Sequence, residues 1–306
     1  MVNLIKNRSE ILFIYDIENA NPNGDPLNEN RPRFDNESST ILVSDVRLKR
    51  TIRDYWYESC GFNGSNGRDI YVRETKYKLE GKEYVSDGKR RAKEFREDKE
   101  TVLDSCIDIR VFGGVLPLKN DSITLTGPVQ FQMGRSLNRT EIITEQGTGA
   151  FASGEKKGQA TFRVEHKVPY AVIGFNGIIN EKVAGYSKMT EDDKELLIKG
   201  IWEGTKDLIS RSKFGQAPRL LMMIDYKEPF YIGGLRQLLK LVSEKDEIQI
   251  RSLKDYKLDL TDVINELKKH AEKIEKIYLR VSDVFDILYN GNNITVKNNE
   301  LKINEI

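Results

Sequence analysis

Hydrophobic and polar positions recur along this chain with distinct periods, and each period marks an element. Glu10 to Glu18, reading E-I-L-F-I-Y-D-I-E, is short and apolar at odd and even positions alike, which predicts a strand buried on both faces. Val168 to Ile179 and Leu220 to Tyr226 carry the same signature. Ser122 to Met133 alternates instead. Ile123, Leu125, Val129, Phe131 and Met133 face one way while Thr124, Thr126, Gln130 and Gln132 face the other, which predicts one half-buried strand. Two stretches have the helical period. Leu48, Ile52, Tyr55 and Trp56 predict a helix over Asp45 to Glu58, and Leu196, Leu197, Ile201, Leu208 and Ile209 predict another from Thr190 to about Ser210. Ser44 and Thr190 stand at the cap positions, where a hydroxyl accepts a backbone N–H of the first turn. Glu191 and Asp192 suit the dipole of the second helix.

The order strand, helix, strand, strand, helix, strand predicts an α+β, ferredoxin-like sandwich with both helices on one face of an antiparallel sheet. RNA-recognition modules share this fold because an open sheet face can contact single-stranded RNA. Leu220 to Tyr226 needs a cover on its second face, from the C-terminal region or a neighbouring subunit. The core is expected over residues 1–59 and 121–229. Residues 60–120 read as an insertion, with glycines at Gly61, Gly64 and Gly67, a strand at Ile70 to Arg73, a charge-rich stretch at Lys89 to Lys99, and D-I-R-V-F-G-G at Asp108 to Gly114. Residues 230–306 read as an α/β extension packing on the core, with helices near Leu235 to Val242 and Leu260 to Tyr278 and a hairpin around Asn293 to Ile303.

Composition narrows the setting. Of 306 residues 32% are charged, yet the formal net charge is only +1, so any basic surface is local and offset by acidic faces. Two cysteines, Cys60 and Cys106, are too few for a disulfide framework, and a reducing cytoplasm is expected. The apolar run Ile11 to Ile17 is broken by Asp16, so no signal peptide is expected. No run approaches the roughly 20 apolar residues of a membrane span, so no membrane partner is expected.

The stretch from Asn19 to Tyr57 draws attention as a site. Pro22, Gly24, Pro26 and Pro32 make its first half a long shaped loop, and loops of that length usually carry function. Lys49 and Arg53, four apart, lie along one side of the following helix with Arg50 adjacent, the layout for holding an anion. The loop motif N-A-N-P-N-G resembles a calcium loop but places Asn30 where a bidentate Glu is needed. Asp25, Asp35 and Asp45 could seed a metal or general-base site, but turn and capping roles explain all three. His166 and His270 stand alone, far apart in sequence. Neither a metal nor a cofactor is expected, and enzyme chemistry has little to work with. Three basic segments remain: Arg47 to Arg53, Arg135 and Arg139 with Lys156 to Lys167, and Arg211 to Arg219. In a ferredoxin-like sandwich all three can lie along one edge. Nearby Gly134, Ser136, Ser212, Gly215 and Gln216 can approach phosphates. The glycine-rich excursion Asn138 to Lys167 reads as a projecting hairpin with Phe151 near its tip, able to wedge between bases for about 1–3 kcal/mol.

Several long motifs in order, N-P-N-G-D-P, V-S-D-V-R-L-K-R-T-I-R-D-Y, D-I-R-V-F-G-G, T-G-P-V-Q-F, G-T-G-A-F-A-S and S-R-S-K-F-G-Q-A-P-R-L-L, resemble the backbone subunit of type I CRISPR Cascade complexes. This is a branch of the RAMP superfamily; subtype I-B is most similar and I-C remains open. The resemblance runs from about Glu10 to Tyr226. It implies a right-hand shape: an RNA-recognition-like palm, fingers over 60–120, and a thumb hairpin over 138–167. It implies a non-catalytic subunit in antiviral defence, polymerising head to tail along CRISPR RNA and presenting it to target DNA beside other Cascade subunits. On the resemblance Asn21, Asn23, Arg31, Lys49, Arg50 and Arg53 become palm contacts to RNA, and Gln130, Arg135 and Ser136 palm-edge contacts. Phe151, Lys156, Lys157 and Arg163 fall in the thumb, and Arg211, Ser212, Lys213, Phe214 and Gln216 form a further clamp. Related subunits of RNA-targeting complexes cut RNA with a loop aspartate and a divalent metal, for which Asp25 or Asp35 would be the candidate here.

Overall fold

The computed structural model describes residues 3–117, 121–148, 162–294, 296 and 299–302. Strand β1 (Ser9–Ala20) sits at the centre of the main sheet, with its apolar residues buried on both faces. A loop then leads through β2 (Thr40–Val43) into α1 (Asp45–Ser59). The insertion follows: β3 (Lys76–Leu79) and β4 (Lys82–Val85) form an exposed hairpin, and α2 (Gly88–Glu94), α3 (Lys99–Ser105) and α4 (Ile107–Phe112) come next. It closes with β5 (Gly113–Pro117) paired to β6 (Ser122–Thr126). The chain re-enters the main sheet through β7 (Val129–Phe131) and β8 (Gly134–Ser136). Next come β9 (Ile143–Thr148) and the long β10 (Phe162–Ile179), then α5 (Glu181–Ser187), α6 (Glu191–Asp207) and β11 (Gln216–Tyr226). The last part adds β12 (Lys240–Val242), β13 (Lys257–Asp259), α7 (Thr261–Lys269), β14 (Ile274–Val281) and β15 (Ile287–Tyr289).

The main sheet runs β14-β11-β1-β10-β8-β2, with Phe34–Asp35 at its far edge and β7 and β9 also paired to β10. All its pairings are antiparallel. The period of two divides the buried residues cleanly. Ile11, Phe13, Tyr15 and Ile17 pack with Leu48, Ile52, Trp56, Leu197 and Ile201, so α1 and α6 cover one face. Leu12 and Ile14 pack with Leu220, Met222, Leu235, Ile264 and Leu279, so the region after Phe230 covers part of the other. The sheet face expected to lie open is therefore largely filled. β14 also pairs along β11, giving that strand both a cover and a neighbour. Asp16, on the filled face, accepts from Arg219 Nε at 2.7 Å, from Tyr256 at 3.1 Å and from Tyr170, tying the extension to β1.

Helix α6 is closed by the reciprocal bonds of Thr190 and Asp193, as a capping box should be. Gly200 and Gly204 let it settle on α1: a Cβ at Gly200 would stand 2.8 Å from Ile52 Cγ2. The helix ends at Asp207, so Leu208 and Ile209 are not part of its buried stripe, and Ile209 is exposed. Other expectations are also corrected. Ser44 makes no side-chain cap bond. Ile70 to Arg73 is not a strand, because the N–H groups of Tyr71 and Val72 turn to the Asp108 carboxylate and that of Ile70 to Asp69 instead of to a neighbouring strand. Ser122 to Met133 is two strands, split at Gly127–Pro128 and serving different partners. Leu235 to Val242 is one 3₁₀ turn followed by a strand. Leu260 to Tyr278 starts as α7 but passes after Lys269 through a 3₁₀ turn into β14, where Ile277 and Leu279 take up period two. The late turn lies at Asn290–Gly291, joining β15 to Asn292–Asn293; the rest of the hairpin expected there falls partly outside the described residues. No described helix is long and apolar enough to cross a membrane.

Candidate nucleic-acid interface

The opening loop is built as a brace. Asn21 is buried, its Nδ2 donating to the Asn30 carbonyl at 2.7 Å and its backbone N–H to the Ser212 carbonyl at 2.8 Å. Asn23 Oδ1 accepts from the Ser44 N–H at 2.7 Å, so an amide from the loop fixes the entry to α1 where the Ser44 hydroxyl was expected to cap it. These two asparagines join three elements: the loop, the start of α1 and the turn before β11.

The cations expected along α1 divide into two kinds. Lys49 is buried, its ammonium 3.0 Å from Asp45 and 3.2 Å from Gln130 Oε1. Arg53 donates at 3.0 Å to Asp108, a fully buried carboxylate that also accepts the N–H groups of Tyr71 and Val72. Both cations lie near the Phe112 ring. They fasten α1 to the end of the insertion, so the free cationic edge read from their spacing is not present. Arg50 is exposed and paired with Asp54 at 2.6 Å. The three expected palm-edge residues are likewise tied inward. Ser136 Oγ accepts from the Ile41 N–H and donates to the Asn138 carbonyl. Gln130 Nε2 donates to the Gly127 carbonyl. Arg135 bonds Asp35 at 2.6 Å, Ser38 and Thr40.

Arg47 behaves differently, and it was not among the expected contacts although it lies inside the first basic segment. It occupies the first turn of α1, where a cation opposes the helix dipole. Its Nη2 donates to Thr51 at 2.9 Å, while its Nε is buried with no partner. Burial holds its pKa below the usual value. Near it stands Lys213, whose ammonium donates to the Asn21 carbonyl. Burial first, then the Arg47 charge, pushes its pKa down to about 8. Neither cation forms an ion pair with a carboxylate among the described residues. Gln216 Nε2 and Asn21 Oδ1, on the adjoining segments, are also buried without partners among the described residues. Gly215, at φ +102°, brings the turn against β1, where a Cβ would stand 2.8 Å from the Glu18 carbonyl oxygen. The signal that could have singled out Arg47 is its place: a basic residue three positions after a cap residue, where acids are favoured.

Sharing Asn21 with this cluster is a cleft of about 400 Å³ whose lining includes Asn21, Asn30, Arg163, Lys167, Arg211 and Ser212 together with the acids Glu29 and Glu165. The loop, one limb of the β9–β10 hairpin and the turn before β11 therefore meet at one end of the sheet. Arg211 is largely exposed, bonding Glu165 at 3.0 Å, and Glu165 also pairs with Arg163. Arg31 is half-exposed, 3.6 Å from Glu29. Phe214 is 69% exposed, an aromatic face open to a ligand. His166 bonds Thr144 within the hairpin. Phe151, Lys156 and Lys157 lie outside the described residues.

The loop aspartates are each engaged. Asp25 accepts from Arg33 and the Leu27 N–H, and Asp45 pairs with Lys49. The hydrogen bond from Arg135, then that from Ser38, lowers the Asp35 pKa to about 2. Among the described residues no three His, Cys, Asp or Glu side chains group as metal ligands would.

Comparison with known proteins agrees with the motifs. A profile of the family described as CRISPR-associated protein Cas7 matches residues 7–261. A CRISPR-associated protein Cas7 of Haloferax volcanii is 32% identical over 305 residues, covering 89% of this chain and 86% of the relative. Chains of two CRISPR RNA-guided surveillance complexes share the fold at 11% identity. One, from a pre-nicking complex, has a TM-score of 0.54 and covers 92% of this chain and 96% of its own. The other has a TM-score of 0.52 and covers 90% and 91%. The chain belongs to the Cas7 family of CRISPR-associated proteins.

Proposed function

We propose that this chain is the non-catalytic, RNA-threading backbone subunit of a type I surveillance complex, of subtype I-B or I-C, holding CRISPR RNA by its backbone. The single observation that carries the reading is the pair Arg47 and Lys213: two half-buried cations, beside the unpartnered donors Arg47 Nε and Gln216 Nε2, that form no ion pair with a carboxylate among the described residues, Asp54 acting on Arg47 only at a distance. Buried charge without a partner is costly, and a phosphodiester placed there would supply both the charge and the acceptors. Arg31, Arg163, Arg211 and Ser212 would continue the phosphate track along the cleft, and Phe214 would stack on a base. Asn21, Asn23, Lys49, Arg53, Gln130 and Ser136 would act beneath it by keeping the loop and helix in place.

In this reading β1, β7 with β8, β10 and β11 form a ferredoxin-like palm, since a sheet order of fourth, first, third and second strand suits that fold. Residues 60–120 are the fingers and the β9–β10 hairpin the thumb, with Phe151, Lys156 and Lys157 acting toward its tip. Residues 230–306 form an extension on the palm. Copies would stack head to tail, a contact that does not close and so generates a helix along the RNA. Guide–target pairing would read the DNA sequence while the protein reads backbone. Photocrosslinking of guide RNA in the assembled complex tests the placement. Crosslinks are expected in the peptides around Arg47 and over 210–219; crosslinks that avoid both would overturn it.

A further inference from the structure

The filled face of the sheet is not filled to its end. Where β7 and the end of β10 meet the loop before the Leu235 turn, a cavity of about 450 Å³ opens, bordered by Gln132, Asn176, Asn180, Tyr231, Gly233 and Gly234. It lies away from Arg47 and Lys213, whose neighbours are the opposite ends of β1 and β11. Its floor is fixed. Glu10, part of the lining, accepts the N–H groups of Ile232 at 2.7 Å and Gly233 at 2.8 Å and the Tyr226 hydroxyl, which fixes the loop to β1. Asn176 Nδ2 donates to Gln132 Oε1 at 3.2 Å, which leaves the Gln132 amide N–H groups open to a ligand. Asn180 Oδ1 accepts from the Lys182 N–H, leaving the Asn180 amide N–H groups open in the same way. Tyr231 is 52% exposed over the cavity and its hydroxyl has no partner among the described residues.

Beside the cavity, Arg236 donates its backbone N–H to Asn176 Oδ1 at 3.0 Å and lays its side chain over Gly174, where a Cβ would stand 2.9 Å from its Cδ. Its Nη1 is buried with no partner. Arg135, the residue paired with Gly174 across the strands, approaches it closely enough that its charge adds to burial in lowering the Arg236 pKa. Arg135 pairs with Asp35, whereas Arg236 forms no ion pair among the described residues. The cavity-lining Asn176 stands two strand residues, roughly 7 Å along the backbone, from Gly174, against which the Arg236 side chain lies and opposite which Arg135 is paired, a spacing on the scale of a single nucleotide.

We propose that this end of the sheet is a second nucleic-acid site, taking one unpaired nucleotide with its base against Tyr231, Gln132 and Asn180 and its phosphate at Arg236 and Arg135. Amides suit base edges and an exposed tyrosine suits a base face. An acidic segment of another copy of the chain is the competing occupant.

The test uses the full chain, saturated with a long unlabelled RNA and titrated with short fluorescent oligouridylate and oligothymidylate; the two probes separate an RNA from a DNA source. Tyr231→Ala and Gln132→Ala are expected to weaken the short probe about tenfold, and Arg236→Gln at least as much, with circular dichroism unchanged. Arg47→Gln with Lys213→Gln should leave the short probe unaffected while weakening the long RNA, so failure here and failure of the proposed function are told apart. Because Tyr231 is exposed, its variant keeps the test valid if Arg236→Gln unfolds. Probe binding indifferent to both Tyr231→Ala and Arg236→Gln overturns the proposal. So does Tyr231→Ala abolishing self-association while sparing the probe.

Discussion

Replacing Asp108 by alanine separates a structural role for Arg53 from a ligand-binding one. The carboxylate is fully buried and holds three donors: Arg53 Nε at 3.0 Å and the N–H groups of Tyr71 at 2.7 Å and Val72 at 3.0 Å. Removing it strands a half of a buried ion pair, worth about 3–5 kcal/mol. Each backbone N–H left unbonded adds about 1 kcal/mol or more. These terms overlap, so the expected loss is about 5 kcal/mol, a large share of the stability of a single domain. Arg50→Ala, which breaks only the exposed pair with Asp54, should cost about 0.3–0.5 kcal/mol. Urea unfolding followed by tryptophan emission is a suitable assay, because Trp56 stacks on Phe112 with centroids 5.4 Å apart, next to the affected contacts. A loss below about 1 kcal/mol for Asp108→Ala, within the ordinary range of surface changes, would refute the reasoning.

Three further outcomes follow from the same structure. Lys213 has its folded pKa depressed to about 8 from 10.5, so between those values the unfolded chain holds the extra proton and stability rises with pH. Lys213→Met should therefore stabilise the RNA-free protein near pH 7 by about 2–3 kcal/mol, the gain fading between about pH 8 and pH 10.5 in calorimetry; a destabilised variant would contradict the burial account. Asp35 is depressed to about 2, so the stability from its pair with Arg135 is present above its ordinary value of 3.8 and lost as pH falls toward 2, and Asp35→Asn should remove that part of the acid transition. With complementary RNA and magnesium the assembled complex should leave the RNA uncut; regular cuts lost in Asp35→Ala would replace the non-catalytic reading by a nuclease.

What the sequence made legible was local. The double-sided apolar run of β1 and the cap of α6 are each written in consecutive residues, and both appear where expected. The strand over Ser122 to Met133 misled because one alternation runs unbroken across Gly127–Pro128, although its two halves serve different sheets. Helix and strand merged over Leu260 to Tyr278 because Ile264, Leu267, Ile274 and Ile277 satisfy a helical spacing before period two takes hold. The site suffered from distance. Lys49 and Arg53 have the right spacing for an anion, but the carboxylate that takes Arg53 comes 55 residues later, from the insertion. Arg47 and Lys213 show the reverse. Nothing near either in sequence says that they meet, and only the fold reveals that neither is closed into an ion pair among the described residues.

The central claim is therefore best tested by the salt dependence of guide-RNA binding to Arg47→Gln with Lys213→Gln, compared with wild type. Each phosphate contact contributes about 0.7 to the slope of log K against log salt for a single strand. With one phosphodiester held by the pair, the account predicts a slope shallower by about 0.7 and a weaker complex at every salt concentration. An unchanged slope and affinity would contradict it.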